Sequence, residues 1–140
     1  MRTYQQDYAG WAEDTAKAIE EGRWDEIDRD ALAEEVESLA SRDRREIKSR
    51  LQVLLMHLLK MKYQPAKESR GWKSTVLLQR EEIHSILADS PSLQPHLAEF
   101  VTRAYQVARS MAVNETGLPP ETFPASCEWS FAQILDDEAA

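Results

Sequence analysis

Between Gly22 and Pro65 the chain contains neither glycine nor proline. Nothing in that stretch removes a backbone donor or invites a left-handed turn, so a helix started there meets no local stop. Apolar residues keep a helical period through it. Leu32, Val36 and Leu39, then Ile47, Leu51, Leu54, Leu55 and Leu58, recur at spacings that share one helix face. A polar run, Ser41-Arg-Asp-Arg-Arg-Glu46, separates the two groups and is the one place for a bend. With no breaker in it, the pattern predicts a single helix reaching Lys62. Tyr63-Gln64-Pro65 ends it, because proline disfavours helical backbone in the residue before it.

Charge divides the chain into three blocks. Residues 1–41 carry 4 Lys+Arg against 12 Asp+Glu, residues 42–80 carry 11 against 3, and residues 81–140 carry 2 against 10. The net charges are −8, +8 and −8, which give the overall −8. The most apolar stretch, Leu51-Gln-Val-Leu-Leu-Met-His-Leu-Leu59, lies inside the basic block. The pattern predicts a basic central rod wrapped by acidic helices.

The other elements read as helices too. Tyr8, Trp11, Ala12, Ala16 and Ile19 mark a first helix over Tyr4–Glu21, with Gly22 as its C′ residue. Asp28 or Asp30 is placed to cap the long helix. Ser69–Asp89 reads as a third helix, with Trp72, Val76, Ile83, Ile86 and Leu87 facing inward. Ser90-Pro91 is a start signal for a fourth helix that runs to Thr116, although Pro95 also fits its first turn. Gly117 and Pro119 stop that helix. A short fifth helix over Glu128–Leu135 is expected to pack Trp129, Phe131 and Leu135 inward. No segment alternates with period two, so the fold class is all-α.

At 140 residues, 42% hydrophobic and 30% charged, the chain is expected to be one folded domain over residues 1–140. Its longest apolar run is about half of the roughly 20 residues a membrane span needs. The polar start, Met-Arg-Thr-Tyr-Gln-Gln-Asp-Tyr, lacks the apolar core of a signal peptide. The lone Cys127 has no disulfide partner within the chain, and a cytoplasmic location is expected.

Several phrases resemble one bacterial family, domain-of-unknown-function family 29. They are Tyr8-Ala-Gly-Trp11, Leu32-Ala-Glu-Glu-Val-Glu-Ser-Leu39, Ser49 to Lys60 with Tyr63-Gln64-Pro65, Ser90-Pro-Ser-Leu93 and Phe123-Pro124. They lie in the family's order and cover nearly the whole chain. The resemblance implies a compact all-helical bacterial domain and no assigned reaction. Where it implies a ring after Leu-Leu-Lys, this chain has Met61.

Conventional catalytic motifs are missing: there is no Gly-rich phosphate loop, dinucleotide fingerprint or Gly-x-Ser-x-Gly. Cys127 has no His nearby in sequence. Glu81-Glu-Ile-His84 holds one Glu-x-x-His, whereas di-iron bundles need two with further carboxylates; neither metal nor cofactor is expected. His57 has two readings. One is an imidazole poised as general base or ligand, with Glu34, Glu35 or Glu37 converging on it. The commoner one is a core-edge histidine bonded to a Glu or a carbonyl. The acidic runs Glu20-Glu21 and Asp136-Asp-Glu138 read as solvated faces.

The segment Lys60–Lys73 interleaves Lys60, Lys62, Lys67, Arg70 and Lys73 with Tyr63 and Trp72. The function this favours is an interaction module, with a groove near the end of helix two. Arg50, His57, Lys60, Tyr63, Gln64, Trp72 and Arg80 are expected to line it, for an acidic protein partner or a second copy. RNA or single-stranded nucleic acid bound through Lys60–Lys73 is the alternative, opposed by an overall sequence pI near 4.9. An enzyme using His57 with a helix-two Glu is the second alternative.

Overall fold

The long uninterrupted segment does form one helix, Arg29–Tyr63, here α2. In this computed structural model, which describes residues 1–136, the other helices are α1 (Tyr8–Glu20), α3 (Arg70–Asp89), α4 (Leu97–Thr116) and the short α5 (Phe131–Leu135). Among the described residues there is no strand, so the fold is all-α. The chain divides into two compact units, residues 1–42 and 43–140. Asp137 and Glu138 of the last acidic run lie outside the described residues.

In the first unit, α1 begins at Tyr8 and not Tyr4, because Asp7 is the N-cap: its side chain accepts from the Gly10 N–H at 2.9 Å. α1 buries Gly10, Trp11, Thr15 and Ala18. It ends in a Schellman motif, with Gly22 N–H bonded to Ile19 O at 3.2 Å and Arg23 N–H to Ala18 O at 2.8 Å. Gly22 has φ +71°, the left-handed conformation this closure demands. The Asp28 carboxylate accepts from Ala31 N–H at 3.1 Å and caps α2. Ala31 is buried, whereas Val36 and Leu39 are 56% and 49% exposed. The apolar face expected from Leu32, Val36 and Leu39 is therefore not core in this unit.

The second unit is a helical bundle. Ile47, Leu51, Leu54, Leu55, Leu58 and Leu59 of α2 are buried against Val76, Ile83, Ile86 and Leu87 of α3 and Leu97, Phe100, Ala104 and Tyr105 of α4. Ala104, Ala108 and Ala112 repeat every four residues on α4, and each is 1% exposed or less. Side chains that small keep the α4 backbone close to its neighbours. Ser69 caps α3 by accepting from Trp72 N–H at 3.2 Å.

Two boundaries differ from expectation. Pro91–His96 is a 3₁₀ segment, and α4 starts only at Leu97. Pro95 has no N–H, and its ring would crowd the carbonyl four residues back in an α-helix. Ser90 is not a side-chain cap; its hydroxyl donates to Asp43 on α2 at 2.9 Å. The short helix starts at Phe131, after Ser130 and Gln133 close a capping box. Phe131 is 40% exposed and Ile134 takes the buried place.

After Gly117 (φ +70°) the chain returns along α4. The Tyr105 hydroxyl donates to Pro124 O at 2.6 Å and the Gln106 amide to Ala125 O at 3.0 Å. Arg109 donates to Phe123 O at 3.2 Å and Pro120 O at 2.8 Å. Phe123 is buried with its ring edge-on to Tyr63, centroids 5.4 Å apart.

Candidate functional site

The side chains expected to line one groove are held in four separate arrangements. At the C-terminal end of α2, one turn brings His57 and Lys60 to one side, and the first turn of α3 supplies Trp72. The Lys60 ammonium sits 4.5 Å from the Trp72 ring centre and 3.8 Å from a Glu115 carboxylate oxygen. At 9% exposure, Lys60 is a nearly buried cation matched by a ring and an acid. His57 meets Trp72 edge-on, ring centres 6.5 Å apart. Its Nδ1 lies 2.9 Å from Val53 O on its own helix. A carbonyl accepts only, so that nitrogen carries the proton of this bond.

Arg50 sits further back, between α2 and α3. Its guanidinium bonds Glu46 at 3.0 Å and Gln79 at 3.2 Å and lies 3.8 Å from Glu82. Arg80 belongs to a third place. Buried on α3, it donates from Nε to Ile134 O at 2.9 Å and from Nη2 to Gln133 O at 3.2 Å. One turn on, His84 Nε2 is 3.1 Å from Leu135 O. Together they supply donors to the carbonyls at the end of α5, where the helix dipole favours positive charge.

Tyr63 and Gln64 close α2, where Gln64 N–H bonds Lys60 O at 2.7 Å. Tyr63 also lines a crevice with Leu59, Lys62, Tyr105, Pro124, Glu128 and Trp129, whose interior has no room for a water molecule. Lys62 covers the mouth, 5.5 Å from the Tyr63 ring and 5.8 Å from Trp129. Of the seven expected groove residues, Tyr63 alone lines this crevice.

The acids follow the first unit's own logic. Glu35 accepts from the hydroxyls of Tyr4, at 3.2 Å, and Tyr8, and lies 3.9 Å from Arg42. The bond to Glu35 raises the Tyr8 phenol pKa, with burial adding to it; for Tyr4 burial leads and the same bond follows. Glu34 and Glu37 are exposed on α2. Glu35 is thus engaged by phenols and His57 by a carbonyl.

Cys127 is half-buried; burial pushes its thiol pKa up, away from the reactive thiolate. Among the described residues no three or more His, Cys, Asp or Glu side chains are grouped to hold a metal ion. His84 and Asp136, 3.4 Å apart, are a pair without a third donor. No helix among them is long and apolar enough to cross a membrane.

Sequence reasoning did not anticipate the donors on α4. Tyr105, Gln106 and Arg109 hold the returning segment by its carbonyls. Their spacing puts a polar group beside an apolar one on each turn, which is the available signal.

The family model described as Domain of unknown function DUF29 matches residues 3–139. The chain belongs to that family. No curated protein and no solved structure matches it. Membership in DUF29 brings no assigned activity, so any functional reading rests on the geometry above.

Proposed function

We propose that this DUF29 chain is a protein-interaction module that binds an acidic segment of a partner protein at the α2–α3 connection. The observation that supports it is a cluster of exposed cations there. Lys67 and Arg70 are exposed and have no acidic partner among the described residues. Lys62 and Lys73 beside them are 47% and 68% exposed at the side chain, each 3.6 Å or more from one acid. Charges more than about 8 Å away are largely screened at physiological salt, so the local sign decides contact. Arg50, Lys60 and Arg80 have internal partners and act beneath this surface, keeping α2, α3 and α5 in register.

Nucleic acid is the weaker reading. A stacking platform needs an open ring face, and Lys60 lies over Trp72 while Lys62 lies over Tyr63 and Trp129. The test is fluorescence anisotropy of a labelled Glu-rich peptide and of single-stranded RNA across a salt series. Peptide binding that weakens with salt and disappears in a Lys67→Glu/Arg70→Glu variant is expected. No peptide binding at low salt refutes the reading, and RNA binding in its place transfers the surface to nucleic acid.

A further inference from the structure

Leu77 and Leu78 of α3 are 59% and 51% exposed, more than any other large apolar side chain described in the second unit. At 100° per residue, Arg70, Ser74, Leu77 and Glu81 fall within about 60° of one another, with Leu78 beside them. All five are exposed. Val76, Ile83 and Leu87 mark the buried side of the helix, about 130° round from that stripe. The outward face of α3 therefore reads, in chain order, cation, apolar pair, acid.

Arg70 and Glu81 have no ion-pair partner among the described residues. Lys67 has none either, and Lys73 reaches Glu68 only at 3.9 Å. The stripe is thus continuous with the cationic surface at the α2–α3 connection. Arg70 and Leu77 are seven residues apart, about 10 Å along the helix axis. A ligand that meets the cations alone leaves both leucines in water. One that carries apolar side chains beyond its acids covers them, and that burial is not screened by salt. Glu81, past the leucines, repels further acids there. It fixes the order in which such a ligand lies: acids over Lys67 and Arg70, apolar groups over Leu77 and Leu78.

Resting on the reading that this surface takes an acidic partner segment, we propose that the segment also carries a pair of large apolar side chains about 10 Å beyond its acids. These dock on Leu77 and Leu78, which act as the specificity-determining residues of the site. In an extended segment that separation is about three residues.

Fluorescence anisotropy of the full chain with two labelled peptides tests it. One peptide has four glutamates, two serines and two leucines; the other has serines in place of the leucines. The leucine peptide should bind at least about tenfold tighter, and the ratio should hold across a salt series because both peptides carry the same acids. Leu77→Ser/Leu78→Ser should erase the ratio and leave the all-serine peptide's affinity and the helical circular dichroism unchanged. Lys67→Glu/Arg70→Glu should weaken both peptides. Equal binding of the two peptides by the unaltered chain overturns this inference and leaves the acidic-segment reading standing; binding of neither overturns both. A leucine variant that weakens the two peptides equally also overturns it. Sedimentation equilibrium of the chain alone should show a monomer, and a dimer broken by Leu77→Ser/Leu78→Ser would give the face to a second copy and overturn the proposal.

Discussion

Leu54→Ala and Leu39→Ala change the same side chain on the same helix, and they should differ severalfold in cost. Leu54 is 0% exposed, enclosed by the α3 and α4 side chains of the second unit. Truncation removes three carbons from that site, worth about 2.4 kcal/mol at about 0.8 kcal/mol per CH₂. The cavity left behind adds to this wherever the surroundings cannot collapse, and the alanines of α4 offer few flexible atoms to fill it. A total of about 3–5 kcal/mol follows, a large part of the roughly 5–15 kcal/mol that holds a domain together. Leu39 is 49% exposed, and alanine is the better helix former. Its replacement should stay within about 0.5 kcal/mol. Urea unfolding followed by helical circular dichroism measures both. The m-value should not change between variants. A Leu54→Ala cost below about 1 kcal/mol, or a Leu39→Ala cost equal to it, would mean α2 presents the wrong face to the core.

Three further outcomes follow from single groups. Bonds from the Arg2 guanidinium and backbone lower the Asp14 carboxyl from 3.8 to about 2. Its stabilisation is complete above pH 3.8 and lost as pH falls through about 2. In an Arg2→Ala variant the Asp14 titration, followed by NMR, should return toward 3.8 and that acid-linked loss should vanish. Burial pushes the Tyr105 phenol from 10.0 to about 12, so the folded chain keeps a proton that the unfolded chain releases. The resulting stability is present below pH 10 and lost as pH rises through about 12, a slope that Tyr105→Phe should flatten in alkaline urea titrations. At neutral pH the same change strips the Pro124 carbonyl of its donor and should cost about 1–3 kcal/mol. Gly117→Ala should lower the thermal midpoint by an amount equivalent to about 1–2 kcal/mol, since φ is +70° and the space around it is open. An unchanged midpoint would refute the left-handed closure of α4.

Helix content and the central stretch of α2 were legible because periodicity and breakers are local properties. Gly22, Pro65 and Gly117 act through their own backbones, and each ends a helix as their residue types dictate. Val36 and Leu39 show where that reasoning stops. Spacing says which residues share a face, but what covers the face is decided by elements distant in sequence. Phe131 and Ile134 make the same point: both suit a short inward helix, and the capping box at Ser130 sets the phase that buries the second. Pro95 overrode the start signal at Ser90-Pro91 through a steric effect one turn downstream. For the candidate site, composition pointed to Lys60–Lys73, where cations and rings are neighbours in sequence. It did not reveal that Lys60 and Arg80 have internal partners, because Glu115 and the carbonyls of α5 lie roughly fifty residues away in the chain.

The grip of α4 on the returning segment falls on main-chain carbonyls, which every residue type possesses. Tyr105, Gln106 and Arg109 hold four such oxygens, while Phe123 alone of that stretch is anchored by a buried side chain. Glu121 and Ala125 are exposed and make no side-chain hydrogen bond. Fold and surface identity are thereby separated here: a library varied at those two positions should keep its structure. The stretch is a place where new recognition chemistry can be written onto this scaffold without rewriting its core.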